Sequence, residues 1–231
     1  MYDLYVPLIE IEKEKISFEE SVKTANKALA PLGEAYLKIF NEGIENGWVD
    51  IYQNKGKRGG AYSWGSYDTM PYVLLNYNYE LNDTSTLVHE MGHSIHSYYS
   101  KISQPYYYSG YTIFCAEIAS TTNESLLIHY LIDNEKDEKK KLYLINQELE
   151  QIRTTVFRQL MFAEFELYAH NELNNGNSLT AEDYNNKWHE LNKKYFGEDM
   201  IVDEEIDVEW ARIPHFYSDF YVYQYATGYA A

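Results

Sequence analysis

The chain carries two histidines four residues apart in the stretch His89-Glu90-Met91-Gly92-His93. In a helix, residues at this spacing lie one turn apart on the same face, so both imidazoles can reach one metal ion. Glu90 then projects beside them, toward a water molecule bound to that ion. This pattern, HExxH, is typical of zinc hydrolases and predicts a metal site on a helix.

The residues around the motif favour a buried helix. Apolar side chains recur at helical spacing, at Leu87, Val88, Met91 and Ile95. Asn82 or Asp83 offers a side-chain oxygen that can cap the start of the helix. His89, Glu90 and His93 lie within this apolar run, and burying such polar groups costs free energy unless a partner satisfies them. A bound metal ion would be such a partner. The alternative is a core helix whose histidines make ordinary hydrogen bonds.

A catalytic zinc site needs a third protein ligand and keeps an open position for water. Metzincins supply this ligand from a histidine that would stand where this chain has Tyr99, three residues after a glycine that is His96 here. The chain is therefore not a metzincin. Another class of HExxH enzymes takes a glutamate from a helix that follows the motif.

The segment 114–124 offers such a glutamate, after a loop in which Pro105 and Gly110 let the chain turn back. Glu117 lies there among apolar neighbours, and Glu124 follows about two helical turns later on the same face. We assign Glu117 as the third zinc ligand and Glu124 as a carboxylate that orients a zinc-bound histidine. A solvated helix position is the alternative for Glu124.

Four further stretches accompany the zinc motif: Lys57-Arg58-Gly59-Gly60-Ala61-Tyr62-Ser63-Trp64, Ala116-Glu117-Ile118-Ala119-Ser120, Phe157-Arg158-Gln159-Leu160-Met161-Phe162-Ala163-Glu164 and Pro214-His215-Phe216-Tyr217. Together they resemble the oligoendopeptidase F branch of the thimet-oligopeptidase family. The resemblance implies a zinc metalloendopeptidase with one Zn²⁺ per chain, acting on short peptides in a deep cleft between two mostly helical halves. Members of this family begin with additional helices, so we expect a C-terminal catalytic portion whose N-terminal helical part is missing.

The C-terminal segment is rich in tyrosine. After His215 the chain has five of them, Tyr217, Tyr221, Tyr223, Tyr225 and Tyr229. A buried phenol needs a polar partner, and the oxyanion of a tetrahedral intermediate is one. The resemblance implies that a histidine and tyrosines of this segment face the zinc, so His215 and Tyr225 are assigned as catalytic and Tyr221 as substrate-binding. For each tyrosine, packing with its hydroxyl in water is the alternative.

The stretches 56–65 and 71–77 are the only ones predicted to form strands. They come directly before the zinc helix, where an edge strand can pair with the extended backbone of a substrate. Gly60, Ala61 and Tyr62 are assigned as substrate-binding, since small residues let a backbone approach closely. A plain structural hairpin is the alternative. The predicted fold is thus a mostly α, zincin-type domain with a small sheet or hairpin before the HExxH helix.

Helical spacing and capping residues predict helices for most of the remaining chain, after an extended opening. A capping box at Ser17 begins the first helix, and another capping residue, Thr180, begins a late one. Between them, residues 142–173 are predicted to form one long buried helix. Within it, Arg158 and Glu164 are expected to be internal ion partners.

Composition limits the classes of function that the chain can serve. With 231 residues and 45% hydrophobic content it can bury a core, and we predict one metallopeptidase domain over residues 1–231. A net charge of −17 without a basic patch argues against nucleic-acid binding. No apolar run could span a membrane, and no signal-peptide pattern is present. The single cysteine, Cys115, is predicted to be a packed core thiol and fits a reducing compartment, so a cytoplasmic location is expected.

The predicted function is hydrolysis of peptide bonds in short peptides by attack of a zinc-bound water, with Glu90 as the general base. Two alternatives stay open. A zinc aminopeptidase shares the ligands but needs an acidic anchor for the free amine on the preceding strand, where the stretch from Gly59 to Tyr62 has no carboxylate. A catalytically incompetent peptide-binding fragment would result if the missing helices form half of the cleft.

Overall fold

The computed structural model describes residues 8–9, 11 and 14–231, so the predicted extended opening lies largely outside the described residues. The described residues are mostly helical and include a three-stranded sheet before the helix of the HExxH motif, which confirms the predicted fold class. They cluster into two compact units, one formed by Ile9–Ile145 and the other mainly by Asn146–Ala231. The single catalytic domain stays a prediction.

The first unit holds the metal motif. Its helices and strands are α1 (Phe18–Ala28), α2 (Glu34–Glu45), β1 (Val49–Tyr52), β2 (Tyr62–Trp64), β3 (Tyr72–Tyr77), α3 (Leu81–Ser103), α4 (Ile113–Asn134) and the start of α5 (Glu138–Ile152). The capping box at Ser17 is confirmed, because its hydroxyl accepts the backbone N–H of Glu20 while the Glu20 carboxylate accepts that of Ser17. This exchange satisfies two N–H groups that the first turn leaves free.

The sheet has the order β1-β3-β2, with β1 parallel and β2 antiparallel to the central strand. The prediction of only two strands was wrong, because β1 pairs with β3 through contacts distant in sequence. The strand predicted over 56–65 was too long. Gly56 and Gly60 both have φ of +86°, a left-handed conformation that interrupts a strand, and β2 therefore begins only at Tyr62. β2 lies at the edge of the sheet, as predicted.

Helix α3 begins earlier than the sequence suggested. Its N-cap is Glu80, not Asn82 or Asp83. Asp83 instead sits one turn inside the helix and accepts the backbone N–H groups of Asn78 and Glu80, at 2.9 and 2.8 Å. The predicted apolar face is confirmed, since four residues are fully buried in the core of this unit, namely Leu87, Val88, Met91 and Ile95.

The second unit continues from α5. After a π-helical turn at Arg153–Phe157 it contains α6 (Arg158–Asn174), α7 (Ala181–Phe196), 3₁₀ segments at Glu204–Arg212 and Pro214–Tyr217, and α8 (Tyr223–Ala230). Thr180 caps α7 with a capping box, as predicted. No helix among the described residues combines the length and apolar character needed to cross a membrane.

The long helix predicted over 142–173 is continuous but differs in two respects. A π turn separates its two α-helical parts, and much of its apolar face is not buried, since Leu149, Leu160 and Leu167 are 59%, 40% and 50% exposed. Periodicity identifies an apolar face but not what covers it. The core of this unit is instead an aromatic cluster that includes Phe162, Phe165 and Trp188.

Arg158 and Glu164 are ion partners, but not of each other. Arg158 pairs with the buried Glu209, with 2.6 Å between Nη2 and Oε1, and Glu164 pairs with Lys194 at 2.7 Å. Six residues advance a helix by about 240°, so the two side chains point to different sides. The expected pairing within the helix was therefore wrong.

Candidate metal centre

Three side chains converge between α3 and α4. His89 and His93 come from successive turns of α3, and Glu117 comes from the start of α4. The two Nε2 atoms lie 3.2 Å apart, and Glu117 Oε2 lies 3.7 Å from each of them. A tetrahedral ion with bonds of about 2.0–2.1 Å holds its ligand atoms about 3.3 Å apart. The two histidines and the glutamate could therefore hold a metal ion.

Gly92 lets the two helices approach closely enough for this arrangement. A Cβ at this position would lie 2.8 Å from the Cα of Ser120 on α4, closer than real Cβ contacts come. Beside it, the Asn123 side-chain amide donates to the backbone carbonyl of Val88 at 2.8 Å, which ties α4 to the turn before His89. This role of the glycine is not visible in the sequence, because it depends on a neighbour distant in the chain.

We expect the substitution Gly92→Ala to lower the free energy of unfolding by about 1–3 kcal/mol, as overpacking does in a close-packed contact. It should also weaken metal binding, because α4 must move away and carry its ligand with it. In a helix, alanine is otherwise favoured over glycine by about 1 kcal/mol, so a loss of stability would report the contact itself. Urea unfolding and metal content measure the two effects.

Gly59→Ala is the matched control for these two measurements, because a Cβ there meets nothing within 4 Å and its φ is not positive. A Gly92→Ala protein with unchanged stability and metal content would show that the helices tolerate a methyl group at their contact.

The surroundings of Glu117 suit a metal ligand. Its side chain is buried, and Ser120 Oγ donates to Oε2 at 3.0 Å, which fixes the carboxylate. Burial raises the pKa of this carboxyl, although His89 and Ser120 act in the opposite direction. A buried carboxylate is costly unless a cation or several hydrogen bonds compensate it, so an ion at this point would relieve the cost.

Glu124 faces the other nitrogen of His89. Its Oε2 lies 3.2 Å from Nδ1 of His89, and Ser85 Oγ donates to its second oxygen at 3.2 Å. Burial by itself would lower the pKa of His89, but the hydrogen bond and charge of Glu124 raise it to about 8. Burial lowers the pKa of His93 to about 3, aided by His89 and His96. In this arrangement Nδ1 of His89 faces the carboxylate and Nε2 faces the metal position.

Glu90 is buried on the same stretch of α3 and lies beside β2. Its carboxylate accepts the backbone N–H of Ser63, and the Ser63 hydroxyl lies 2.8 Å from that of Ser94. Burial raises the pKa of Glu90 to about 7, with the nearby negative charges of Glu117 and Glu124 adding to the rise. A carboxyl group that titrates near neutrality suits general acid–base chemistry.

The residues assigned to substrate binding divide between the edge strand and its approach. Tyr62 begins β2 and is 45% exposed. Gly60 and Ala61 precede the strand, and the Gly60 carbonyl accepts the side-chain amide of Asn76 at 2.6 Å. The exposed ring of Trp64 ends β2. Only the strand residues therefore offer a regular edge to an extended backbone.

The assigned C-terminal residues form a cluster within the second unit. The hydroxyls of Tyr221 and Tyr225 lie 2.6 Å apart, and the ring of His215 stacks on Tyr221 with centroids 5.7 Å apart. The turn before Tyr221 is held by Glu166, a buried residue that no sequence pattern indicated. Its carboxylate accepts the backbone N–H of Phe220 at 2.8 Å, where φ is +54°.

Cys115 was predicted to be a packed core thiol, and this was wrong because the side chain is exposed. The buried face at the start of α4 begins at Ala116 and Glu117, and the preceding residue lies outside it. Cys115 is the single cysteine of the chain, so it cannot form a disulfide within the chain, and its thiol is free.

Comparison with known proteins shows that the sequence is similar to one protein family. The chain matches the family model of peptidase family M3 over residues 7–231. It is 56% identical to the oligopeptidase PepF of Bacillus subtilis and 49% identical to the chromosomal oligoendopeptidase F of Lactococcus lactis subsp. cremoris. Both alignments cover 100% of this chain but only 34% and 38% of those proteins. The chain thus spans about a third of the length of the curated relatives it matches.

Solved structures of two other proteins are also similar to this chain. A protein from Chlamydophila abortus is similar with a TM-score of 0.84 and 44% identity, over 98% of this chain and 38% of that one. The oligoendopeptidase-F from Enterococcus faecium is similar with a TM-score of 0.67 and 38% identity, over 100% of this chain and 33% of that one.

Proposed function

The chain belongs to peptidase family M3, and on that premise we propose that it forms the catalytic part of a zinc-dependent endopeptidase acting on short peptides. The observation that carries the proposal is the convergence of His89, His93 and Glu117, with the buried carboxylate of Glu90 beside them. The names of the relatives, oligopeptidase and oligoendopeptidase, support short peptides as the substrate class. One ion is expected per chain.

In this proposal His89 and His93 would hold the zinc ion through Nε2, and Glu117 would hold it through Oε2. When bound, the ion supplies Lewis-acid polarisation of the scissile carbonyl and lowers the pKa of a water molecule toward neutrality. Glu90 accepts a proton from the attacking water and later donates it to the leaving amine. Glu124 accepts the Nδ1–H of His89, which fixes the tautomer that leaves Nε2 free for the ion.

The edge strand β2 is the proposed binding site for the substrate backbone. It is an outer strand of the sheet among the described residues, and the backbone N–H of Ser63 reaches Glu90, so a peptide lying along this edge would pass beside the general base. Tyr62 is the strand residue that would contact it, with Gly60 and Ala61 at the approach. Replacing Tyr62 with alanine would remove the side chain that contacts the peptide, and unchanged KM values would contradict this part of the proposal.

His215 and Tyr225 are proposed to stabilise the oxyanion, and Tyr221 to contact the substrate. We expect Tyr225→Phe to lower kcat about 100- to 1,000-fold, as removal of one oxyanion donor does, and Tyr221→Phe to act mainly on KM. The control is Tyr217→Phe, at a residue that is 90% exposed. Full kcat in the Tyr225→Phe variant would remove this tyrosine from the mechanism.

Cleavage of paired peptides, one with a free and one with an acetylated N-terminus, tests the reaction class. An endopeptidase cuts an internal bond in both, whereas an aminopeptidase releases the first residue of the free peptide only. The absence of any carboxylate from Gly59 to Trp64 favours the endopeptidase. Peptide binding with a full complement of zinc and no cleavage would instead identify a binding fragment.

A cytoplasmic location is also proposed, supported by an exposed thiol at the single cysteine, which suits a reducing compartment. Cell fractionation would contradict it by finding the protein outside the cytoplasm.

A further inference from the structure

A cavity of about 530 Å³ opens beside the metal ligand His93. Its lining includes three residues of α3 and three tyrosines, namely His93, Ser97, Lys101, Tyr67, Tyr106 and Tyr111. The α3 residues follow one another at intervals of four, so they lie along one face of the helix. The cavity therefore begins beside His93 and runs along α3 for about 12 Å, the rise of eight helical residues.

The walls of this cavity are held in place by contacts of their own. The ring of Tyr111 stacks on His96 with centroids 3.9 Å apart, and its hydroxyl lies 2.5 Å from that of Ser97. The loop that forms the far wall is attached to α3, because Ser100 Oγ donates to the carbonyl of Ser109 at 2.6 Å. A pocket with aromatic walls and convergent polar groups is typical of a ligand site.

The unusual member of this lining is Lys101. Its Nζ is buried and finds no hydrogen-bond partner among the residues that the structure describes. The lining includes no Asp or Glu within the described part of the chain. Burial lowers the pKa of this amine, as expected for an ammonium group without a counter-ion. Such a group is costly to bury, and an anion in the cavity would relieve the cost when the flexible lysine side chain turns its enclosed ammonium toward it.

We propose that this cavity is a substrate subsite that accepts a carboxylate of the peptide, paired with the ammonium of Lys101. The inference rests on the proposed peptidase function, because only that function brings a peptide to His93. The chain as a whole has a net charge of −17 and repels acidic peptides, so their binding needs a specific cation at the point of contact. The tyrosines would cover the apolar part of the residue that carries the carboxylate.

Two sources of the carboxylate fit the dimensions of the cavity. An extended peptide advances about 3.4 Å per residue, so Lys101 is within reach of an acidic side chain close to the scissile bond. It is also within reach of the C-terminal carboxylate of a peptide that ends about three residues beyond that bond. The two sources are chemically alike and are separated by the choice of peptide.

Two pairs of peptides test the proposal. The first pair is blocked at both ends and carries Glu or its neutral isostere Gln at one position near the scissile bond, scanned in turn. The second pair has neutral side chains and ends in a free acid or an amide. We expect the carboxylate form of one pair to have a kcat/KM about 10- to 100-fold above its neutral counterpart, the range of a charged hydrogen bond. Equal values within both pairs would overturn the subsite.

The same peptides are titrated by calorimetry against zinc-loaded Glu90→Gln protein, in which binding is measured without turnover. Tighter binding of the carboxylate form supports the subsite even if no peptide is cleaved by the unsubstituted protein, a result that would count against the proposed function alone. Cleavage of the peptides without any preference for a carboxylate would support the proposed function and overturn the subsite. The failure of one proposal is thus distinguishable from the failure of the other.

Lys101→Met should abolish the preference by lowering the values for carboxylate peptides only, and Lys101→Arg should retain it. Lys139→Met, at an exposed lysine of α5 outside this lining, is the control. Because Lys101→Met removes an unpaired buried charge, its urea midpoint should rise. A fallen midpoint with an intact preference would assign the lysine a structural role and overturn the proposal. If Lys101→Met does not fold, the kcat/KM values of the peptide pairs on the unsubstituted protein still test the subsite.

Discussion

Glu90→Gln is expected to keep its metal ion and to lose peptide hydrolysis by a factor of about 100 to 10,000, the usual contribution of a general acid–base group. The amide has the shape of the carboxylate but cannot accept a proton from water. The amide oxygen can still accept the backbone N–H of Ser63, as the Glu90 carboxylate does. Strand β2 therefore need not move. The loss should therefore appear in kcat with little change in KM.

The experiment compares zinc content, circular dichroism and peptide cleavage in the two proteins. Glu45→Gln is the matched control, since this glutamate is exposed at the end of α2. A Glu90→Gln protein that holds a full complement of zinc and cleaves peptides at the original rate would remove Glu90 from its assigned role.

Glu117→Gln is expected to abolish stoichiometric zinc binding and, with it, hydrolysis. The substitution removes the carboxylate from the three converging donors, at a position that is 5% exposed and inaccessible to a replacement from solvent. Glu124→Gln is expected to have a smaller effect, because Glu124 acts on the metal site only through His89. This substitution should weaken zinc binding about 10- to 100-fold. Competition with a chromogenic chelator measures both affinities on one scale.

The ranking of these two variants tests the division of roles. A greater loss of affinity in Glu124→Gln than in Glu117→Gln would mean that the carboxylate of Glu124 is the ligand. Retention of one tightly bound ion by Glu117→Gln would mean that His89 and His93 recruit their third partner elsewhere.

The parts of the molecule that the sequence predicted well are those governed by local spacing. Two histidines four residues apart must share a helix face, and the caps at Ser17 and Thr180 involve residues only three positions away. Glu117 lies further along the chain but was within reach of sequence reasoning, because few HExxH classes exist and the residues at 96 and 99 excluded one of them.

The parts that the sequence did not predict depend on contacts between distant segments. β1 is recognisable as a strand only through its parallel pairing with β3, since its own four residues carry a weak signal. The exposure of Leu149 and Leu160 shows that a helical pattern of apolar residues does not itself guarantee burial. Lys101 gave no signal at all, because a lysine on a helix is usually solvated, and only the folded chain shows its ammonium enclosed.

The close contact of α3 and α4 at Gly92 also bears on which ions can enter. With the backbones held together there and tied by Asn123 to Val88, the three donor atoms stay 3.2 to 3.7 Å apart. Helices pushed apart at this contact would spread the donors beyond the separation of about 3.3 Å that bonds of about 2.0–2.1 Å to a tetrahedral ion require. Discrimination by ionic radius would then originate in a glycine that touches no ion.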